Sequence, residues 1–181
     1  SISGDTAIVG SNRDDDLGAD SGSAYVFRWN GTMWEEEDKL IASDGSAADL
    51  FGISVSIAGD TAIVGSYLDD DMGAYSGSAY VFRWNGATWE EEDKLTASDG
   101  SSDDYFGWSV SISGDTAIVG SRYDDDMGVS SGSAYIFWWN GTAWEEQAKL
   151  TASDGSSYDY FGCSVAISGD TVIVGSYFDD D

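Results

Sequence analysis

Two hydrophobic patterns, strict alternation and short continuous apolar runs, recur along the chain and predict β-strands. Within residues 51–104, Ser54–Ile57 alternates polar and β-branched residues, which is typical of a half-buried strand. Thr61–Gly65 is a continuous apolar run of strand length, and Ser78–Trp84 is rich in aromatic and β-branched residues. A fourth strand is predicted from about Thr88 to Thr96, where apolar residues flank a charged stretch. The segment therefore predicts four consecutive strands.

Turn-forming residues connect these strands. Gly59-Asp60 predicts a tight turn, because Gly accepts positive φ and Asp can bond its own backbone. An acidic loop, Asp69–Gly77, follows the second strand, and Ser98–Asp104 forms a loop that leads to Phe106-Gly107. Asn85-Gly86 lies between the third and fourth strands and predicts a type I′ hairpin turn, in which both central residues have positive φ. The strands are thus expected to be antiparallel.

The whole pattern repeats every 55 residues without insertion or deletion. Ser1–Gly10 returns in closely similar form at residues 56–65, 111–120 and 166–175. Self-similarity of this kind indicates a repeat architecture, in which neighbouring units bury one another's faces. We therefore expect a single array over residues 1–181, with units of about 1–55, 56–110, 111–165 and a partial unit 166–181.

These features predict an all-β fold of tandem four-stranded antiparallel blades, arranged like part of a β-propeller. A period near 50 with four strands and a set of aromatic residues per unit is typical of propeller blades. The apolar second strand is expected to lie near the axis. The charged fourth strand, Trp89–Leu95, is expected at the outer rim, where charge discourages edge-to-edge pairing. The alternative is a linear, β-solenoid-like stack of sheets.

Three pieces of each unit resemble the FG-GAP repeat of integrin-α-like propellers. They are Phe51-Gly52 before a strand, Ile63–Gly65 at the end of one, and Gly77–Phe82. The similarity is greatest to a compact variant common in extracellular proteins of bacteria, algae and other microbes. The resemblance covers essentially the whole chain and implies a propeller of about seven blades, of which this sequence supplies three and a part.

The chain departs from that family's pattern at two places. Gly10–Asn12, Gly65–Tyr67 and Gly120–Arg122 stand where the family has Gly-Ala-Pro, so its Pro is absent. Integrin-type repeats also carry an Asp-x-Asp-x-Asp-Gly calcium loop between the first two strands. Here that connection is only Ala58–Asp60 or its equivalent, which is too short to wrap an ion. That calcium site therefore does not carry over to this chain.

Composition excludes several classes of function. With 34 acidic and 7 basic residues and a net charge of −27, the chain does not attract nucleic acid or an anionic membrane surface. No run of about 18 apolar residues is present, so membrane insertion is not expected. The absence of His excludes a His-based catalytic triad and a His-rich zinc site. The single Cys163 excludes an intrachain disulfide, and it is interpreted as a filler residue because Ile53 and Trp108 stand at the equivalent positions.

Triplets of Asp recur in the second loop of every unit, at residues 14–16, 69–71, 124–126 and 179–181. Clustered carboxylates near a Gly can supply the about six to eight oxygens that calcium prefers. The candidate calcium ligands are Asp14, Asp16, Asp69, Asp71, Asp124 and Asp126, with the backbone near Gly73 and its counterparts. The alternative, which the consecutive spacing favours, is a solvated turn in which an Asp side chain bonds backbone amides. No other cofactor is expected.

A second acidic loop carries Asp44, Asp99 and Asp154, each followed five residues later by Asp49, Asp104 or Asp159. These residues are interpreted as structural, the later Asp holding the chain in place before Phe-Gly. Two hairpin tips, Asn30-Gly31-Thr32 and Asn140-Gly141-Thr142, fit the N-glycosylation pattern and are candidate acceptor sites. The Trp pairs that flank each hairpin are interpreted as packing residues, with carbohydrate stacking as the alternative.

The sequence predicts a non-enzymatic protein of the cell surface or extracellular space with a structural, fibre-forming or adhesive role. Its expected partners are other copies of the chain, by self-association, or neighbouring repeats of the same protein. Catalysis is not expected, because every acidic cluster recurs once per blade, whereas a catalytic site is normally unique. The terminal units carry no distinct capping sequence, which favours a piece of a longer array or an open polymer. One alternative is a propeller that binds an extracellular protein or glycan through its loops; another is a non-catalytic appendage of a larger secreted enzyme. The binding alternative rests on differences among the units at Asn12, Arg13, Tyr67, Leu68, Arg122 and Tyr123.

Overall fold

The protein consists of consecutive antiparallel sheets, one per repeat. The computed structural model describes residues 1–179, and Asp180 and Asp181 lie outside the described residues. The strands are β1 (Ile2–Ser3), β2 (Thr6–Ser11), β3 (Ser23–Trp29), β4 (Trp34–Leu40), β5 (Ser54–Ala58), β6 (Thr61–Ser66), β7 (Ser78–Trp84), β8 (Trp89–Leu95), β9 (Phe106–Ser113), β10 (Thr116–Ser121), β11 (Ser133–Trp139), β12 (Trp144–Leu150), β13 (Ser164–Ser168) and β14 (Thr171–Gly175).

The strands form three open four-stranded sheets, β1–β4, β5–β8 and β9–β12, and a two-stranded sheet, β13–β14. Each sheet follows the order of the chain and is called a blade below, numbered 1 to 4. The predicted all-β fold of tandem four-stranded antiparallel blades, arranged as in a propeller, is confirmed. Among residues 1–179, no helix is long and apolar enough to cross a membrane.

Strand β6 shows why a continuous apolar run lies inside each blade. It pairs with β5 and β7, so that Val64 stands opposite both Val55 and Tyr80. All six of its residues are buried, because neighbouring strands cover its edges and neighbouring blades cover its faces. Polar and apolar residues alternate where one face of a strand is exposed to solvent, whereas a strand that is buried on both faces is a nearly continuous apolar run.

Hydrophobic cores lie between successive blades. Ile8 and Val26 of blade 1 belong to the same buried cluster as Val64 and Phe82 of blade 2. Ile63, the neighbour of Val64 along β6, belongs instead to the cluster shared with blade 3. Successive side chains of one strand thus enter two different cores, as the two-residue period of a strand requires. Each blade therefore depends on its neighbours for burial.

The first strands of successive blades lie closest together. The backbone N–H of Ile112 in β9 donates to Ser56 Oγ in β5 at 3.2 Å, and that of Ile167 in β13 donates to Ser111 Oγ in β9 at 3.2 Å. The first strand occupies the edge of each sheet where the blades converge, and its Ser hydroxyls accept backbone N–H groups of the next blade there. The apolar second strand is the next strand in each sheet, and its place near the axis stays a prediction. The charged fourth strand forms the opposite edge of each sheet, as predicted.

The connection between the third and fourth strands differs from the predicted turn. Residues 85–88 connect β7 to β8, and of its first two residues only Gly86 has a positive φ, 98°. The Asn85 side-chain oxygen accepts hydrogen bonds from the backbone N–H groups of Ala87 at 2.9 Å and Thr88 at 3.0 Å. The type I′ prediction is therefore wrong: the Asn side chain, and not a left-handed Asn backbone, closes the loop.

The Phe-Gly dipeptide and the Gly that ends the second strand meet where two blades cross. A Cβ atom on Gly65 would lie 2.0 Å from the carbonyl oxygen of Gly107, so only Gly allows the two backbones to approach so closely. Phe106 is buried and packs edge-on against Tyr135, with the ring centroids 5.4 Å apart. Phe106 thus packs within blade 3, and Gly107 makes the close backbone contact with blade 2.

Candidate functional site

The first Asp of each of the first three triplets accepts hydrogen bonds from hydroxyl groups. Asp69 is 4% exposed, and its carboxylate accepts hydrogen bonds from the hydroxyls of Tyr80 at 2.7 Å and Ser78 at 3.2 Å. Asp124 in blade 3 and Asp14 in blade 1 have the same two kinds of partner. Both hydroxyls belong to the third strand of the blade. Their hydrogen bonds to the first Asp therefore hold the acidic loop, which precedes that strand, in a fixed position.

Lys94 lies among three carboxylates. Its ammonium nitrogen is 2.8 Å from Asp44 and 3.2 Å from Asp69, and it also pairs with Asp71. Asp44 comes from the segment that links blades 1 and 2, and it accepts a second hydrogen bond from Tyr80 at 2.8 Å. We call Asp44, Asp69, Asp71, Tyr80 and Lys94 the ionic node of blade 2. It joins the acidic loop, the fourth strand and the preceding linker.

Equivalent nodes occur in the neighbouring blades. The node of blade 3 contains Asp99, Asp124, Asp126, Tyr135 and Lys149, and that of blade 1 contains Asp14, Asp16, Tyr25 and Lys39. Every lysine of the chain is therefore part of a node. The lysines of the fourth strands therefore act as counter-ions of the acidic loops and offset part of their negative charge.

The proton equilibria of the blade 2 node reflect burial and close pairing. Burial raises the pKa of Tyr80, and the carboxylate of Asp69 raises it further, so the phenol keeps its one proton and shares it between Asp44 and Asp69. Burial alone would raise the pKa of Asp44, but hydrogen bonds from Lys94 and Tyr80 outweigh it and the pKa is lowered. Burial opposes charge on Lys94 as well, yet its carboxylate partners raise its pKa. Asp44 and Lys94 are both ionised at neutral pH.

The candidate calcium ligands lie within these nodes, in pairs that each share an ammonium group. Asp14 and Asp16 share Lys39, Asp69 and Asp71 share Lys94, and Asp124 and Asp126 share Lys149. Within residues 1–179, no group of three or more His, Cys, Asp or Glu side chains is arranged to hold a metal ion. The middle Asp bonds the backbone, since Asp70 accepts the N–H of Tyr75 at 2.7 Å. Calcium binding stays a prediction; of the fourth triplet only Asp179 is described, and it is exposed.

The second acidic loop is held by a buried carboxyl group. Asp49 accepts the backbone N–H of Ser46 at 2.6 Å, and its carbonyl accepts the hydroxyl of Ser66 at 2.9 Å. Burial raises the pKa of Asp49 to about 6, and the same cause raises that of Asp104 to about 6. These bonds hold the chain two residues before Phe51, in the structural role that the sequence predicts.

The candidate glycosylation residues lie at exposed hairpin tips. The Asn30 side-chain oxygen accepts the backbone N–H groups of Thr32 at 2.9 Å and Met33 at 3.0 Å. Asn140 Nδ2 donates to Glu145 at 2.7 Å. These hydrogen bonds explain why Asn stands at both loop positions without an attached sugar. Glycosylation of Asn30 and Asn140 stays a prediction.

The Trp residues beside the hairpins connect strands and blades. The rings of Trp84 and Trp89 face each other across the hairpin with centroids 5.9 Å apart. Trp89 Nε1 donates to Glu37 of the preceding blade at 3.2 Å, and Arg28, the ion-pair partner of Glu37, lies over Trp84 at 5.3 Å. These contacts agree with the predicted packing role.

A different set of aromatic residues forms a row across blades 2 to 4. Consecutive ring centroids of Tyr67, Tyr105, Tyr123, Tyr160 and Phe178 are 5.2, 4.8, 5.2 and 5.6 Å apart. We call this surface the aromatic face. Its members are Tyr67, Tyr75, Tyr105, Trp108, Arg122, Tyr123, Tyr158, Tyr160, Tyr177 and Phe178.

Every member of the aromatic face stands at a position where the repeats differ. Tyr67 and Arg122 correspond to Asn12, for example, and Trp108 corresponds to Ile53. Most aromatic residues that are identical in all units, such as Tyr80, are buried in the cores or bonded between blades, and Trp29 and Trp34 of the first blade are exceptions. Several variable positions of the array are thus gathered on this surface, while others, such as the one held by Arg28, Arg83 and Trp138, lie outside it.

Arg122 is held among the rings of this face. Its guanidinium carbon lies 3.3 Å from the ring centroid of Trp108 and 4.5 Å from that of Tyr123, and Nη2 donates to the Tyr123 hydroxyl at 3.1 Å. Nε is buried and has no hydrogen-bond partner within the described residues. Sequence differences pointed to Tyr67, Arg122 and Tyr123 as candidate binding residues. The same comparison marked the position of Trp108 as variable, but it was interpreted there only as a place for a filler residue. Flat rings and one guanidinium are groups that bind hydrophobic and aromatic surfaces.

Comparison with known proteins identifies the repeat. The model of the FG-GAP repeat family matches residues 1–27, 34–82, 89–137 and 144–181, nearly the whole chain. Each internal match begins with the fourth strand of one blade and ends in the third strand of the next, so the family's unit is offset from the sheet. FG-GAP repeats are generally extracellular, adhesion-type modules. A search of curated proteins finds no match.

Proposed function

The chain belongs to the FG-GAP repeat family, and from that premise we propose that it is a non-enzymatic extracellular adhesion module that binds a partner protein through the aromatic face. One observation carries the proposal: ten side chains at positions where the repeats differ come together on one surface, and there they are mostly aromatic. Identical residues maintain the fold of a repeat array, whereas a group of variable residues gathered on one surface gives that surface its own specificity.

The chemistry of the face suits protein binding. Tyr, Trp and Arg are the residues that dominate binding energy at protein interfaces, and Tyr and Trp provide large contact area at low cost in side-chain entropy. The ring contacts between Tyr105, Tyr123 and Tyr160 hold these side chains in place before a partner arrives. Preorganisation of this kind reduces the entropy lost on binding. The face offers no acid–base pair, so its chemistry supports binding and not catalysis.

The charge of the chain constrains the partner. A net charge of −27 repels acidic surfaces and accelerates association with basic ones. We therefore expect the partner surface to be neutral or basic and to contain aromatic or aliphatic side chains. The fibre-forming role is less well supported, because a fibre repeats one contact while the aromatic face differs from blade to blade. An appendage of a larger secreted enzyme would use the same face.

The test uses random peptides displayed on phage, selected on the purified wild-type chain. The face variant carries Tyr105→Ser, Arg122→Ser and Tyr123→Ser, and the control variant carries Trp29→Ser and Trp34→Ser, which remove exposed rings elsewhere. We expect the enriched peptides to be basic and aromatic, to bind the wild type and the control variant, and to lose binding to the face variant. Thermal melting checks that both variants are folded.

Two outcomes overturn this proposal. Enriched peptides that bind the folded face variant as well as the wild type would show that the face is not the binding surface. An absence of enriched peptides, combined with glycan-array binding that the face variant loses, would show that the partner is a carbohydrate.

A further inference from the structure

Trp108 and Cys163 occupy equivalent positions in consecutive repeats, 55 residues apart, and their surroundings differ in one decisive way. Trp108 fills the space between Tyr67 of its own repeat and Arg122 of the next repeat. The ring centroids of Trp108 and Tyr67 are 4.9 Å apart, and the Arg122 guanidinium lies over the Trp108 ring. By the same repeat relation, Cys163 stands between Arg122 and Tyr177. A thiol is far smaller than an indole, so it leaves the equivalent space unfilled.

The unfilled space is a cleft of about 530 Å³. Its walls are formed by Arg122, Tyr123, Tyr160, Tyr177 and Phe178 around Cys163. The volume is within the range of pockets that bind small organic groups, about 300 to 1,000 Å³.

The far wall of the cleft is fixed by backbone hydrogen bonds. The N–H groups of Tyr177 and Phe178 both donate to the carbonyl oxygen of Asp159, at 2.9 and 3.2 Å. Their side chains nevertheless remain 70% and 57% exposed. The backbone hydrogen bonds thus place both residues on this side of the cleft.

The near wall carries a guanidinium with unused hydrogen-bonding capacity. Arg28 and Arg83 each pair with a Glu, whereas Arg122 forms no ion pair within residues 1–179 of this strongly acidic chain. Its buried Nε also lacks a hydrogen-bond partner within those residues. Because Arg122 has no carboxylate partner within those residues, its terminal N–H groups can donate hydrogen bonds to an oxygen of a ligand in the cleft.

We infer that this cleft receives an aromatic side chain of the partner polypeptide, whose ring takes the place that Trp108 fills in the preceding repeat. An oxygen acceptor of the same partner residue bonds the guanidinium of Arg122. The inference rests on the proposed function, since it assigns a pocket within the proposed binding face. The match in shape to Trp108 and the unpartnered guanidinium together select an aromatic residue with an adjacent carbonyl group.

The probe for this pocket is N-acetyl-L-tryptophanamide, which carries an indole and amide carbonyls, and its binding is followed by saturation-transfer NMR. Cys163→Trp fills the cleft with the residue that the preceding repeat uses, Cys163→Ser keeps it open, and Ile53→Trp makes the same enlargement at the equivalent position of the first repeat. We expect transfer to the indole protons with the wild type, Cys163→Ser and Ile53→Trp, and binding at least about tenfold weaker with Cys163→Trp. N-acetyl-L-alaninamide serves as the probe without a ring.

A second measurement does not depend on the folding of a variant. Cys163 is the only thiol of the chain, so its alkylation by iodoacetamide reports directly on access to the cleft. We expect N-acetyl-L-tryptophanamide at millimolar concentration to slow alkylation of the wild type, while N-acetyl-L-alaninamide does not.

The pocket inference is overturned if the wild type shows neither transfer nor protection, or if folded Cys163→Trp binds the probe like the wild type. Its failure is distinguishable from failure of the proposed function. Phage peptides that need Tyr105, Arg122 and Tyr123 but bind Cys163→Trp unchanged would leave the aromatic face as the binding surface and remove only this pocket.

Discussion

The ammonium nitrogen of Lys94 lies 3.2 Å from the carboxylate of Asp69, and the two side chains are only 18% and 6% exposed. The pair joins the fourth strand of blade 2 to its acidic loop, and Asp44 extends the contact to the preceding linker. Ion pairs so little exposed are weakly screened by salt, and loss of one partner leaves the other charge uncompensated. The acidic loops are therefore stabilised by lysines of the same chain.

Replacement of Lys94 by Met should destabilise the protein by about 2 to 3 kcal/mol, because it leaves the buried carboxylate of Asp69 without its cation. Met retains most of the aliphatic stem, so the loss reports mainly on charge. Urea denaturation measures the effect. Lys39→Met is the matched control in blade 1, where the Asp14 side chain is 30% exposed, and its loss should be smaller. Equal losses in the two variants would show that burial of the carboxylate is not the cause.

Calcium should leave the melting temperature of the wild type unchanged relative to chelator, because a lysine ammonium group already occupies the position between the carboxylates that could bind the ion. The double variant Lys94→Met and Lys149→Met should be stabilised by millimolar calcium, since each node then offers carboxylates without a counter-ion. Sodium chloride at equal ionic strength controls for screening. A higher melting temperature of the wild type in calcium would instead show that residues such as Asp69 and Asp71 bind the ion.

Two buried carboxyl groups should make a contribution to the free energy of unfolding that decreases as the pH rises from 3.8 to about 6. Asp49 and Asp104 have pKa values near 6 in the folded chain, against 3.8 as the ordinary value, so the folded state holds protons that the unfolded state releases first. Stability from such groups is present below pH 3.8 and is lost as the pH rises through about 6. Urea denaturation at a series of pH values measures it.

The double variant Asp49→Asn and Asp104→Asn is the control for this pH dependence. Asn still accepts the backbone N–H of Ser46 or Ser101 but does not titrate, so the decrease between pH 3.8 and about 6 should become shallower. Asp44 acts in the opposite direction: its pKa is lowered, so the stability that it contributes is lost at more acidic pH. An unchanged slope in the double variant would mean that these two carboxyl groups are not responsible.

The strands could be predicted because their signals are local. Ser78–Trp84 was expected as a strand and β7 has those bounds, since side-chain shape and alternation act within a few residues. The turn at Asn85 could not be predicted from its dipeptide alone. Whether Asn uses its backbone or its side chain depends on where the flanking strands pair, and here Trp84 pairs with Trp89 across a four-residue loop.

The ionic nodes were not predictable from spacing. Asp44 and Lys94 lie 50 residues apart, and they meet only because Lys94 pairs across the sheet with Tyr80, whose hydroxyl points to both Asp44 and Asp69. The aromatic face left a partial signal. Differences between repeats marked Arg122, but its contact with Trp108 depends on how successive blades pack.

Replacement of Gly65 by Ala should prevent stable folding, with a loss of at least about 3 kcal/mol. The new Cβ would lie 2.0 Å from the Gly107 carbonyl oxygen and 2.3 Å from Ser54 Oγ, so the backbones of two blades would have to separate. Gly59→Ala is the matched control: its Cβ meets nothing within 4 Å, but its φ of 59° costs an Ala about 1 kcal/mol. Circular dichroism during urea denaturation compares the two variants. If Gly65→Ala were no less stable than Gly59→Ala, the close crossing of blades at the Phe-Gly dipeptide would not be what requires glycine there.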